Sequence, residues 1–230
     1  MVLTSAYDAS LSVLFLVISY LIGSIPFGLL LGKVFKGIDI REYGSGNIGS
    51  TNAIRVLGKK VGYLVFLCDV LKGMFIIIIL KILDSTGVWT TPISFIFYGA
   101  AAIIGHSFSI FLEFKGGKAV ATSLGVVLIL TPIPAIACLI IFGIILFTTG
   151  YVSLASTGAT LTVVITTWIL YAIGYEATNV LDYFISTPGL VTTIIYTTIS
   201  ALIFLKHTKN YKRLLAGTES SFKKKNKEQK

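Results

Sequence analysis

The chain has 230 residues, 55% of them hydrophobic and only 13% charged, with a net charge of +9 and a mean hydropathy of +0.89. Soluble domains carry about 25% charged residues. This composition excludes a soluble globule, a disordered chain, a collagen, a disulfide scaffold and a nucleic-acid-binding domain, and leaves an integral membrane protein.

In chain order, the apolar runs predict spans at 11–33, 61–81, 93–111, 119–131, 133–149, 156–173 and 190–206. The segment before the first run contains Asp8 and no Lys or Arg, the wrong sign for a cleaved signal. That run is therefore expected to remain as a membrane helix. The stretch 119–149 contains Thr131-Pro132-Ile133-Pro134, which predicts two short helices rather than one. Charge supports this division. Of 19 Lys and Arg, six lie at 33–60, two at 115–118 and nine from Lys206 onward, whereas 82–92 and 174–189 have none. Cytoplasmic loops carry the positive excess. Seven spans place every basic cluster inside, with the N-terminus outside and the C-terminus cytoplasmic. The expected fold is an all-α integral membrane protein of seven transmembrane helices. Its single domain runs over 1–219, followed by a basic tail over 220–230.

The first inside loop reads Glu42-Tyr-Gly-Ser-Gly-Asn-Ile-Gly-Ser-Thr-Asn-Ala-Ile-Arg55. Gly44, Gly46 and Gly49 match G-x-G-x-x-G, but no strand precedes them, so a dinucleotide fingerprint is excluded. Such glycines still let successive amides converge on an anion. Ser45, Asn47, Thr51 and Asn52 add short polar groups, and Thr51 or Asn52 is a candidate cap for a helix running through Arg55. A second inside segment, Gly105-His106-Ser-Phe-Ser-Ile-Phe-Leu-Glu-Phe-Lys115-Gly116-Gly117-Lys118, places two glycines and two lysines before an apolar helix. It is a second candidate anion corner. Asp69 and Lys72 share one face of the second span and are expected to neutralise each other. Segments 149–156 and 207–219, which hold Ser153, His207 and Asn210, are polar enough to line a pocket. Cys68 and Cys138 sit inside apolar stretches without metal-ligand spacing, and no metal or cofactor motif is present. There is no His-x4-Asp and no G-x-S-x-G elbow.

The motifs Ser45-Gly-Asn-Ile-Gly-Ser-Thr-Asn52, Gly105 to Lys118, and His207…Asn210…Arg213…Gly217-Thr-Glu219 resemble the bacterial acyl-phosphate:glycerol-3-phosphate acyltransferase family, PlsY. Asp69-Val-Leu-Lys-Gly73 and Tyr151-Val-Ser-Leu154 extend the likeness over nearly the whole chain. Tyr211 and the polar loop 174–189 depart from the family pattern. The resemblance implies a multi-pass enzyme of the bacterial inner membrane with its site facing the cytoplasm. It would transfer an acyl group from acyl phosphate to the 1-hydroxyl of sn-glycerol 3-phosphate, giving lysophosphatidic acid and phosphate in phospholipid biosynthesis. The implied partners are those two substrates, membrane lipids and, as a candidate, the enzyme that makes the acyl phosphate; nucleic acid is not one.

Lys118, Arg55 and His106 are the expected catalytic residues. Ser45, Gly46, Asn47, Gly49, Thr51, Asn52, Gly116, Gly117, Ser153, His207 and Asn210 are expected to bind substrate. Amides at Gly46, Asn47, Gly116 and Gly117 are expected to assist at the phosphates. With no nucleophile–base–orienter set, direct attack by the substrate hydroxyl is expected. Its proton goes to His106 or to a substrate phosphate oxygen, and the lack of a carboxylate beside His106 in the sequence favours the phosphate. A transporter of phosphorylated metabolites is the competing reading, but the spans show no repeat that divides into inverted halves.

Overall fold

The computed structural model describes residues 2–174 and 188–222. Most of the expected outside loop at 174–189, and the tail beyond Phe222, lie outside the described residues. Every regular element described is helical. The chain divides into two compact units, Met1–Leu130 and Thr131–Lys230.

In the first unit, α1 (Val2–Ser24) ends just before Pro26, and α2 (Phe27–Lys36) begins just after it. The expected single span over 11–33 is thus two helices. Proline lacks the amide that would continue the ladder, and it pushes its predecessor out of helical geometry. A left-handed Gly37 (φ 67°) closes α2. After one 3-10 turn at Ile40–Glu42 come α3 (Ser50–Leu57), α4 (Lys59–Ser85), α5 (Phe95–Ser107), a second 3-10 turn at Ile110–Leu112, and α6 (Val120–Leu130).

Helix α1 packs on α5, and α4 packs on both α3 and α6. Lipid tails are as apolar as leucine, so these pairings rest on close approach. Glycine provides it at two of these seams, α1 with α5 and α4 with α6. A Cβ at Gly23 would overlap the Ala102 backbone, and one at Gly105 would overlap the Tyr20 carbonyl. Across the other seam, Gly73 faces the Thr122 carbonyl and Gly125 faces the Val70 carbonyl.

The second unit holds α7 (Pro132–Thr149), α8 (Val152–Ile173), α9 (Leu190–Lys206) and α10 (Thr208–Leu215). Pro132 opens α7, where its missing amide costs nothing, and the division at Thr131 is as the Pro-x-Pro motif predicts. Threonine hydroxyls on α8 donate to carbonyls four residues back, as Thr160 does to Ser156 (2.7 Å) and Thr167 to Val163 (2.8 Å). Thr131 and Tyr196 pair at 3.1 Å. These hydroxyls thereby find partners inside an apolar bundle, the threonines of α8 on their own helix and Thr131 across to α9.

Five helices among the described residues are long and apolar enough to cross a membrane; α9 and α10, bent by 50°, add a sixth if they form one span. Helix α6 has 11 residues, so it is about 16 Å long against a hydrocarbon core of about 30 Å.

Candidate active site

The loop between α2 and α3 is organised by one buried side chain. Asn52 accepts from the Ser45 amide (2.8 Å) and donates toward the carbonyls of Asn47 (2.9 Å), Tyr43 (3.1 Å) and Ile40 (3.2 Å). Gly44 and Gly46 sit at φ 63° and 69°, in the left-handed region that glycine enters freely. Helix α3 starts behind Gly49, whose backbone caps it without any side-chain bond. Neither Thr51 nor Asn52 is the cap. Both lie inside the first turn, where the Asn52 side chain faces back into the loop. Asn47 Oδ1 accepts from the Gly49 amide (2.8 Å). The Gly46 amide closes a turn on Tyr43 O (3.1 Å), so it is committed within the loop rather than offered to an anion. Ser45 is exposed at the loop tip, while Thr51 and Arg55 are partly buried on α3.

The second corner begins at the end of α5. His106 is 4% exposed. Its carbonyl accepts from the Gly117 amide (3.0 Å), which commits that amide too. The segment crosses His106 so closely that a Cβ at Gly116 would overlap the His106 carbonyl, and one at Gly117 would overlap ring atom Nε2. The glycine pair is therefore required by contact with His106. Glu113, Phe114 and Ala119 adopt φ of 51°, 61° and 59°. Such geometry costs a non-glycine residue about 1–2 kcal/mol and gathers at functional sites. Lys118, partly buried, stands just before Ala119, where the chain turns into α6. The first bond of α6 runs from the Ser123 amide to Ala119 O (2.8 Å), which leaves the amides of Val120 to Thr122 ahead of the ladder.

The two corners lie side by side. Leu112 joins Ile40, Ile48, Ala53 and Leu57 in one buried apolar cluster. Arg41, which grips Asp39 at 2.6 Å, also feels the charge of Glu113. The hydrogen bond from Arg41 holds the Asp39 carboxyl down at about 2. Motif spacing could not reveal this adjacency.

Nor could it reveal what stands beside His106. Asp69 Oδ1 on α4 lies 3.6 Å from His106 Nδ1, and Thr122 Oγ1 on α6 lies 3.1 Å from the same nitrogen. A carboxylate does flank this histidine, contrary to the expectation from its own motif. Asp69 also pairs with Lys72 (2.8 Å), as their spacing predicts. Asp69 and Thr122 were thus missed as neighbours of the site; the mark was an ionisable residue inside an apolar span.

Ser153, Asn210 and His207 belong to the second unit. The hub there is Glu219, which was not singled out as a site residue although it ends the third motif. Its Oε1 accepts from Ser153 (3.1 Å) and Asn210 (2.7 Å), and its Oε2 from Arg213 (2.7 Å). Burial works to raise the Glu219 carboxyl, but these hydrogen bonds outweigh it and hold the group below its ordinary range. His207 Nδ1 is 2.8 Å from Ile203 O, and its ring stacks on Tyr211.

A family model described as glycerol-3-phosphate acyltransferase matches residues 13–217. A glycerol-3-phosphate acyltransferase of Macrococcus caseolyticus is 44% identical over 208 residues, covering 90% of this chain and 94% of the relative. Glycerol-3-phosphate acyltransferase 2 of Bacillus anthracis is 43% identical over 210 residues, covering 91% and 98%. Among solved structures, PlsY, an integral membrane glycerol 3-phosphate acyltransferase, superposes in its glycerol 3-phosphate form with a TM-score of 0.75 at 38% identity, covering 91% of this chain and 94% of that one. Its lysophosphatidic acid form gives a TM-score of 0.72. Extent, identity and fold agree: the chain belongs to the family of integral membrane glycerol-3-phosphate acyltransferases that includes PlsY.

Proposed function

We propose that this protein transfers an acyl group from an acyl phosphate to the 1-hydroxyl of sn-glycerol 3-phosphate, releasing lysophosphatidic acid and inorganic phosphate. The observation that carries the reading is the junction of two glycine-rich loops over one apolar cluster, with Arg55 on α3, the helix that the first loop leads into, and Lys118 on the second loop. Two substrates that each bear a phosphate need two cationic corners set close together. The solved relatives were captured with a substrate and a product of such a transfer. An acyl phosphate is already activated, which suits loops that offer no nucleophile–base–orienter set.

In this reading Arg55 and Lys118 hold the phosphates, with Ser45, Asn47, Thr51 and the amides of Gly116 and Val120 to Thr122 around them. Catalysis is then orientation of the two substrates plus stabilisation of charge on the carbonyl. His106 faces Asp69 and Thr122 with one nitrogen and Gly117 with the other, so its task is to support the Lys118 segment. The hydroxyl proton passes to a substrate phosphate oxygen. Ser153, His207 and Asn210 retain a binding role in the proposal, with Ser153 and Asn210 fixed by Glu219. The site faces the cytoplasm of a bacterial inner membrane, within a single functional domain over 1–219. Seven passages, with α6 as a shallow one, put every basic cluster on that side.

Substitution of the two cations tests the site. Loss of a charge-assisted contact costs about 1.5–3 kcal/mol, or roughly tenfold to a hundredfold in rate. Arg55→Ala and Lys118→Ala should each lose at least that while remaining folded. Arg55→Lys should recover only part, since a point charge does not reproduce a bidentate fork. Near-normal kinetics in both alanine variants would remove these residues from the site.

A further inference from the structure

Asp69 and Lys72 occupy positions on α4 where an apolar helix would ordinarily carry Leu or Val. Both side chains are about 3% exposed, and their ion pair measures 2.8 Å. A buried pair gains little over well-packed apolar residues of the same volume, so stability does not account for it. Its connections do. Lys72 Nζ donates to the Ile25 carbonyl (2.8 Å) at the break imposed by Pro26, and it lies 5.5 Å from the Phe27 ring centroid. Asp69 Oδ1 faces His106 Nδ1 at 3.6 Å, an electrostatic contact rather than a hydrogen bond, while Thr122 Oγ1 is within hydrogen-bond reach of that nitrogen. The opposite edge of the ring, at Nε2, supports Gly117.

A carboxylate accepts hydrogen bonds and cannot donate one, so the ring nitrogen that faces it is the one to carry hydrogen. We propose that the Asp69–Lys72 pair fixes His106 as the Nδ1–H tautomer, with Thr122 Oγ1 as acceptor, and seats the ring beneath Gly117. Asp69 is then a positioning residue for the segment that carries Lys118. The pair anchors the ring, the ring supports Gly116-Gly117, and the next residue is the phosphate cation. This rests on the reading of Lys118 as part of the phosphate site.

The chain has only two histidines, His106 and His207, so ring-15N labelling of histidine in the purified full-length protein gives a spectrum that His106→Gln assigns. The expected wild-type signal for His106 is the Nδ1–H tautomer. In Asp69→Asn/Lys72→Met, which removes both charges together, that signal should shift toward Nε2–H while the His207 signal stays in place. The acylation kcat should fall about tenfold to a hundredfold with the thermal transition retained. An Nε2–H tautomer at His106 in the wild type would overturn the proposal, and that spectrum decides even if the double variant does not fold. A folded double variant with unchanged His106 signals and full activity would overturn it equally. The spectrum needs no substrate. Wild-type protein that shows the Nδ1–H form but acylates nothing would fail the proposed function and leave the tautomer assignment standing.

Discussion

Glu219 shows how one carboxylate can organise a chain end. It receives hydrogen bonds from Ser153, Asn210 and Arg213, on α8, on α10 and at its last turn. The segment just after it is tied back by the Phe222 amide, which donates to Gly150 O (2.9 Å). The folded carboxyl is held below its ordinary value of 4.5. Stability from this linkage is therefore fully present above that value and is lost as pH falls through the lower, folded one. Thermal unfolding of wild type and Glu219→Gln should differ at pH 7, and the difference should shrink on acidification below about pH 4.5. A gap that persists unchanged at low pH would mean that the Glu219 charge is not what joins these elements. Asn52 plays the comparable part in the first unit. Both residues could be quoted from their motifs, yet neither motif could say that the side chain turns inward to serve the backbone. Sequence gives donors and acceptors without their directions.

At the scale of elements, glycine decides which helices meet. Gly73 on α4 and Gly125 on α6 let the two backbones approach, each against the other helix's carbonyl. Gly73→Leu would push α6 away from α4 and tilt Thr122 off His106. Overpacking of this kind costs about 1–3 kcal/mol, and here it also disturbs the candidate site. The expected result is a lowered unfolding temperature together with a loss of activity larger than the stability change explains. Full activity in a folded Gly73→Leu protein would contradict the seam. Helix positions were largely legible from apolar runs, and the split at Thr131-Pro132 from proline chemistry. Pro26 carried the same information about α1 and α2, but a long apolar run hid it. The meeting of the two loops through Leu112, and of Asp69 with His106, was not legible. Each depends on which helix faces which, and apolar spans lack the one-sided patterning that would show it.

For the whole molecule, the one-sided charge distribution makes a claim about the bilayer. Single cysteines at position 86 and position 225, with Cys68 and Cys138 replaced by Ala, should label from opposite faces of sealed vesicles. Labelling from one face would remove the seven-passage topology. The central claim, however, is chemical, and one assay reaches it most directly. Purified protein should be given labelled acyl phosphate and glycerol 3-phosphate, together and separately, and the products resolved. The account predicts lysophosphatidic acid and inorganic phosphate in equal amounts, formed only when both substrates are present. Acylation of glycerol 3-phosphate from a thioester donor but not from acyl phosphate, or hydrolysis of acyl phosphate with no acylated product, would contradict it.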